Sequence, residues 1–361
     1  MFLDAYKNKH VLVTGNTGFK GSWLSLWLQK LNAEVYGYSL KSPTNPNHFD
    51  LLNLNMRTEY GDIRNYKKLA SYITEIKPEV VFHLAAQSLV RKSYFNPRQT
   101  YETNVMGTLN LLEACKKIGS VNVFINVTSD KCYENTEQIW GYREIDRLGG
   151  YDPYSSSKAC SEILTSSYRN SFLNTNKDNS NQRMLLASVR AGNVIGGGDW
   201  AQDRLIPDIM RAINKNKTVI IRNPNSIRPW QHVLEPLSGY LLLGSKLLKG
   251  ETKLADCWNF GPLFNYDYTV KQVLDSIKIL WDDLVYEVEK VENLHEASLL
   301  KLDCTKALTN LGWRPVWDFF TSIEVTTNWY KNYYQFGKLN SFDDLAKYIS
   351  EAKNSNLEWA L

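Results

Sequence analysis

The sequence predicts an α/β protein, a doubly wound parallel sheet followed by a smaller C-terminal α/β lobe. Three observations carry that expectation. Short apolar runs alternate with amphipathic stretches through the first half, a glycine-rich turn follows the first run, and the rhythm loosens after about residue 192. Strands separated by helices of about 10–15 residues form βαβ units, and right-handed crossovers make those strands parallel.

In chain order, His10–Thr14 (HVLVT) reads as a buried strand, 18–31 as a helix and Glu34–Ser39 as a second strand. A third strand ends near Tyr60-Gly61, with Asp62-Ile63 just beyond and a helix beginning near Tyr66. Segments 80–84 and 121–127 are further strands with a helix over 100–117 between them, and 184–189 is the next. A helix over 153–171 precedes a polar surface loop at 172–183. Past residue 192, Gly196-Gly197-Gly198 marks a loop. A helix over 203–214, a short strand over 219–222, a polar turn over 223–231 and a helix over 234–249 follow.

At 361 residues the chain exceeds one module of about 150 residues and can bury a core without disulfides. Its 42 basic and 38 acidic residues are spread along the chain. That argues against a nucleic-acid binder, which clusters its basic residues on one face, but leaves room for a local anion pocket. Five cysteines, widely spaced and without CxxC, do not suggest a disulfide framework or a zinc site, so no metal is expected. The opening MFLDAYKNKHVLVTG lacks the features of a signal peptide, and no apolar window approaches 18 residues. A reduced, cytoplasmic protein without a membrane partner is expected.

The turn TGNTGFKG (14–21) joins the first strand to the first helix. Gly15 suits a tight turn, Gly18 a close backbone approach to a pyrophosphate, and Gly21 close packing of helix on sheet. Thr17, Phe19 and Lys20 share this phosphate cradle, where helix-start N–H groups favour an anion. A glycine-rich turn without ligand would have the same sequence, but its place after a strand argues for a dinucleotide. The second strand ends Tyr38-Ser39-Leu40-Lys41, with no carboxylate for the ribose 2′-hydroxyl of NAD, so Lys41 leaves NADP open. Asp62 and Ile63 could flank adenine; alternatively Asp62 caps the following helix.

Tyr154-Ser155-Ser156-Ser157-Lys158 sets Tyr154 and Lys158 four residues apart on one helical face. A nearby ammonium favours phenolate, so the pair can take a proton from a sugar hydroxyl as hydride leaves its carbon. Thr128-Ser129-Asp130-Lys131 ends a strand. Ser129 can orient the reacting oxygen, while Asp130 and Lys131 offer an acid and a base in one place; a surface ion pair is the plain alternative.

Eight segments carry a resemblance: GNTGFKGSWL (15–24), HLAAQSLVRKSY (83–94), TSDKCYEN (128–135), WGYRE (140–144), GGYDPYSSSKAC (149–160), RAGNVIGGGDW (190–200), DRLIPD (203–208) and IRPWQHVLEPL (227–237). Together they resemble the CDP-glucose 4,6-dehydratases, Rossmann-like extended short-chain dehydrogenase/reductases, over roughly residues 8–335. The resemblance implies recycled NAD, CDP-glucose or a related nucleotide sugar as substrate, and a place in deoxysugar biosynthesis. It implies Tyr154 as the base at the 4-hydroxyl, Lys131 as the C5 base, Asp130 as the acid at C6 and Lys158 on the nicotinamide ribose. Lys131 must be neutral to act so, against an ordinary lysine pKa of about 10.4. It also places Ala85, Ala86, Gln87 and Asn104 beside the cofactor, and Asn193, Arg204, Arg228, Trp230 and Gln231 beside the substrate. Arginine suits a diphosphate because it binds in a bidentate fashion.

Residues 1–192 are thus expected as the dinucleotide-binding domain, with some later segments returning to it. Residues 193–361 are expected mainly as a sugar-nucleotide lobe with C-terminal helices. A homodimer would pair the helices over 100–117 and 153–171 through Tyr101, Leu109, Leu112 and Leu164. Action on another nucleotide sugar, 4-epimerisation, and a non-catalytic dinucleotide sensor are the alternatives. The Asp-Lys pair argues against the second, and the retained Tyr-Lys pair against the third.

Overall fold

Parallel pairing of short strands, most of them rich in buried apolar residues, organises the chain. The computed structural model describes residues 1–173, 184–221, 223–263, 268–289 and 299–361. The polar segment expected at 172–183 falls outside them from residue 174 on, as does Arg222 of the expected short strand. The strands are β1 (His10–Thr14), β2 (Glu34–Ser39), β3 (Arg57–Tyr60), β4 (Val80–His83), β5 (Val123–Val127) and β6 (Leu185–Ala191). They continue as β7 (Val194–Ile195), β8 (Val219–Ile221), β9 (Gln231–His232), β10 (Cys257–Phe260) and β11 (Tyr286–Val288). The helices begin with α1 (Phe19–Lys30), α2 (His48–Leu52), α3 (Tyr66–Ile76), α4 (Val90–Phe95), α5 (Pro97–Tyr101) and α6 (Gly107–Ile118). They end with α7 (Pro153–Phe172), α8 (Leu205–Asn214), α9 (Leu234–Leu248), α10 (Val270–Leu280), α11 (Phe319–Phe336) and α12 (Ser341–Asn354).

Seven strands form one parallel sheet in the order β10-β6-β5-β4-β1-β2-β3. Its two faces follow the two-residue period of a strand. Val11, Val13, Val80, Phe82, Val123 and Ile125 turn to one side, against α1, α9 and the C-terminal helices. Leu12, Val81, Phe124 and Leu186 turn to the other, where Leu69 and Ile73 of α3 and Leu111 and Leu112 of α6 cover them. Burial on both faces explains why these strands read as continuous apolar runs rather than alternating ones. α1 is buried from Gly21 to Leu28 because Trp27 meets Tyr348 of α12 and Trp359 behind it. A third cluster of Ile206, Ile209 and Met210 with Val273, Leu274 and Ile277 forms the smaller lobe.

The register sets Thr14 opposite Tyr38 and His83, His83 opposite Asn126, and Val127 opposite Val189. The carboxyl ends of the strands therefore share one edge, where ligands of open α/β sheets bind. Two later elements return to this sheet: β10 pairs with β6, and Leu237 and Leu241 of α9 lie in the core against β5.

Several expectations change. The helix expected over 100–117 begins at Pro97, at the first position where a proline costs no hydrogen bond, and is interrupted by a π-helical turn at Glu102–Met106. The helix expected over 203–214 starts only at Leu205, because Asp203 has a positive φ of 58°. Asp62 does not cap α3; Asn65 does, accepting from the Lys68 amide. Leu112, expected on a dimer surface, is fully buried within the chain.

Candidate active site

The first turn is shaped by missing side chains. Gly15 has a φ of +74°, and a Cβ there would lie 2.8 Å from the Ala85 nitrogen. A Cβ on Gly21 would lie 2.1 Å from the Gly15 carbonyl oxygen. Gly18 donates to that carbonyl at 3.0 Å and caps α1 without any side-chain acceptor. The first amides of α1 are thus left for an anion. The Ala85 amide donates to Thr14 Oγ1 at 3.2 Å, which draws the partly buried Ala85-Ala86 backbone alongside. Phe19 lies against Gly196 across the cleft. These features fit the pyrophosphate of a dinucleotide.

At the end of β2, Thr17 and Ser39 share a 2.7 Å hydrogen bond, and Leu40 and Lys41 are exposed. Asp62 lies past β3, where the hydrogen-bonded Arg64 guanidinium holds its pKa below the usual range. Ile63 is buried in the core. Asn104 is also buried, and the π-helical turn that carries it aims its side chain at the Gln87 amide, the Gln87 carbonyl and Ser157. Asn104 therefore ties the loop after β4 to α7 rather than lining the cleft. The Gln87 side chain is spent on the Leu89 amide and carbonyl and on Thr100.

The second turn leaves β5 at Thr128. Ser129 Oγ donates to Asp130 Oδ1 at 3.0 Å and accepts from the Lys131 amide, capping a short turn. Lys131 Nζ reaches Asp130 Oδ1 at 3.2 Å, with Asp130 buried and Lys131 about one-third exposed. The second Asp130 carboxylate oxygen is buried without a partner, near the open side of Gly192.

Tyr154 stands second on α7, behind Pro153, where Asp152 caps the helix through the Ser155 amide. One turn on, Lys158 Nζ donates to the Val127 carbonyl at 3.2 Å. Burial lowers the Lys158 pKa to about 8, with Glu162 opposing. Burial raises Tyr154 to about 12, although Ser129 and Arg204 pull it down. The expected lowering of the phenol by Lys158 does not emerge; desolvation dominates.

Both turns open into a cleft of about 890 Å³, whose wall includes Asp130, Lys131, Tyr154, Asn193, Arg204 and Arg228. Arg204 is held by Asp199 at 2.9 Å. Trp230 also lines the cleft, its indole N–H donating to the Tyr268 carbonyl. Gln231 does not. Its side chain donates to the Phe260 carbonyl at 3.0 Å, because its strand β9 runs beneath the wall.

A family described as GDP-mannose 4,6 dehydratase matches residues 12–326. The chain belongs to that family. The CDP-glucose 4,6-dehydratase of Salmonella typhimurium is 53% identical over 329 residues, covering 90% of this chain and 91% of the relative. Among solved structures, the epimerase Mth375 of Methanothermobacter thermautotrophicus superposes with a TM-score of 0.80 at 23% identity, covering 92% of this chain and 95% of its own. The dTDP-glucose 4,6-dehydratase DesIV of Streptomyces venezuelae, solved with NAD, gives 0.75 at 23% identity, covering 90% and 97%. These two share the fold of this dehydratase-family chain.

Two features escaped the sequence reading. Lys20 was placed with the cofactor, but it also lines the main cleft. Burial and the nearby cations Arg204, Lys158 and Lys131 lower its pKa to about 7, against the opposing charge of Asp130. The visible sign was a lysine amid glycines and aromatics. The second is the buried pair Glu162–Arg190 behind the turn after β5. Its sign was an arginine inside the apolar strand LLASVRA.

Proposed function

We propose that this chain is a CDP-glucose 4,6-dehydratase that converts CDP-glucose to CDP-4-keto-6-deoxyglucose and water in deoxysugar biosynthesis. The observation that carries this reading is the buried Asp130, hydrogen-bonded to Lys131 at 3.2 Å at the end of β5 and facing the same cleft as Tyr154. Bound NAD would supply a reversible hydride acceptor for the oxidation at C4 and the reduction at C6. Gly15, Gly18 and Gly21 admit its pyrophosphate, Lys158 holds the nicotinamide ribose, and Asp62 lies toward the adenosine end. Arg204 and Arg228 take the substrate diphosphate, with Asn193 and Trp230 shaping the pocket.

Tyr154 as phenolate accepts the 4-hydroxyl proton while Ser129 donates to the same oxygen. The ketone then acidifies C5–H. A proton passed from Lys131 to Asp130 across their hydrogen bond creates a free amine and a carboxylic acid together. Lys131 removes the C5 proton, and Asp130 protonates the departing C6 hydroxyl, which leaves as water. Lys131 returns its proton to C5 as hydride reaches C6, so no net oxidant is consumed.

The division of labour follows the chain. Residues 1–192, with α9 and β10, form the cofactor domain, and most of 193–361 forms the substrate lobe. We place the enzyme in the cytoplasm; among the described residues no helix is long and apolar enough to cross a membrane. We place it as a homodimer, on the exposed Tyr101, Met106, Ile163 and Phe172 of its outer helices.

Incubation with NAD and a panel of CDP-, dTDP-, UDP- and GDP-glucose tests the reading. The expected result is a 4-keto-6-deoxy product from CDP-glucose without net accumulation of reduced nucleotide. A C4 epimer alone would sink it. Lys131→Met is expected to keep C4 oxidation and slow elimination by about 100-fold; equal loss of both steps removes Lys131 from the base role.

A further inference from the structure

Behind the turn that carries Ser129, Asp130 and Lys131 lies a network of buried charges that the reaction scheme does not use. Glu162 of α7 and Arg190 of β6 pair at 2.8 Å, and each side chain is only 2% exposed. Thr128, which opens the turn, donates its hydroxyl hydrogen to Glu162 Oε1. Ser188 Oγ donates to Glu162 Oε2 at 2.7 Å. Tyr133, which closes the turn, accepts from Arg190 Nη1 at 2.7 Å and lies with its ring 4.9 Å from the guanidinium carbon. The Tyr133 hydroxyl in turn donates to Asn259 Oδ1 at 2.8 Å, reaching β10. Both ends of the turn are therefore fastened to one ion pair. Glu162 is also one helical turn beyond Lys158, on the same face of α7.

Desolvating two charges often costs more than their attraction returns, so well-packed apolar residues would commonly serve stability as well or better. Here the pair sits at one point of the fold, joining α7, β6, β10 and the catalytic turn.

We propose that Glu162 and Arg190 are positioning residues of the reaction site, clamping both ends of the turn 128–133 and sustaining the positive charge of Lys158 beside Tyr154. This rests on the dehydratase reading for its chemistry. The groups facing Lys158 are Glu162 on its own helix, Cys132 in the turn, His83 on β4 and Lys20 on α1. Of the four, Glu162 is the one held as an anion, since the Arg190 charge and three hydrogen bonds keep its carboxyl ionised against burial. Neutralising it leaves Lys158 exposed to desolvation and to the unpaired Arg190 cation.

The test compares Glu162→Gln with the double variant Glu162→Leu/Arg190→Met, which replaces the ion pair by apolar packing. Glu162→Gln is expected to lower kcat by about 10–100-fold with KM for the nucleotide sugar within about threefold. In the ligand-free protein, NMR of 13C-methylated lysines should show the Lys158 midpoint moving down by about 1 pH unit or more. The double variant is expected to melt at or above the wild-type temperature and yet stay as slow as the single one. Turnover within about threefold of wild type in the double variant, or an unmoved Lys158 midpoint in Glu162→Gln, overturns the proposal. A wild-type protein inactive on every nucleotide sugar would instead overturn the dehydratase reading, and the Lys158 titration would still decide this one.

Discussion

The two turns that flank the cleft solve opposite problems. The turn after β1 works by what it lacks: Gly15 and Gly21 bring backbone to within contact distances that no side chain permits. The turn after β5 works by what it carries, since Ser129, Asp130 and Lys131 deliver a hydroxyl, a carboxyl and an amine within one short segment. Backbone recognition tolerates variety in the ligand's reacting end. Side-chain chemistry does not, and it needs a foundation of its own, found in Glu162 and Arg190. β4 lies between the two strands, and its His83 bonds Thr14 of β1 at 2.7 Å and Thr108 of α6 at 3.0 Å.

The sharpest way to separate the turns is to damage chemistry without damaging binding. Tyr154→Phe is expected to reduce kcat by about 1,000-fold with little change in NAD affinity, as read by steady-state kinetics and calorimetry. A matching loss of NAD affinity would show that the phenol belongs to the binding side of the comparison. Gly21→Ala should do the converse. Overpacking against the Gly15 carbonyl should cost about 1–3 kcal/mol of stability. NAD affinity should fall with it, while KM for the nucleotide sugar changes least. Unchanged NAD affinity at unchanged stability would show that the turn can yield.

The last effect is spread over several pH units and belongs to the strand between them. Burial lowers the His83 pKa to about 3, below its unfolded value of about 6.5. Its neutral form therefore favours folding fully above pH 6.5, and that contribution is lost as the pH falls toward 3. His83→Gln should flatten the fall in unfolding free energy below pH 6.5 by up to about 1.4 kcal/mol per pH unit, measured by denaturant titration. An unchanged slope would place the acid sensitivity in His48 or His232, which burial also lowers to about 3.

Local chemistry was what the sequence expressed most clearly. The glycine turn, Ser129-Asp130-Lys131 and Tyr154-Lys158 each fit within eight residues, and the structure brings them to one sheet edge. Legibility failed where distant partners decide. Asn104 looks like an ordinary helix polar group until the π-helical turn aims it at Gln87 and Ser157. Gln231 sits one residue from the cleft-lining Trp230, yet the strand alternation turns it inward to Phe260. β10 is only four residues long, and its place beside β6 depends on pairing across more than sixty positions. The lowered pKa of Lys20 depends on burial and on charges gathered from three separate segments.

That late strand has a consequence for the order of events during synthesis. β6 is buried along all seven residues, and β10 occupies one of its two edges. Until Cys257–Phe260 leaves the ribosome, that edge carries unpaired peptide groups open to any passing strand. Asn259, which receives the Tyr133 hydroxyl, arrives in the same segment. The turn 128–133 is thus braced by residues made long after it, and one late segment completes both the sheet and the support of that turn.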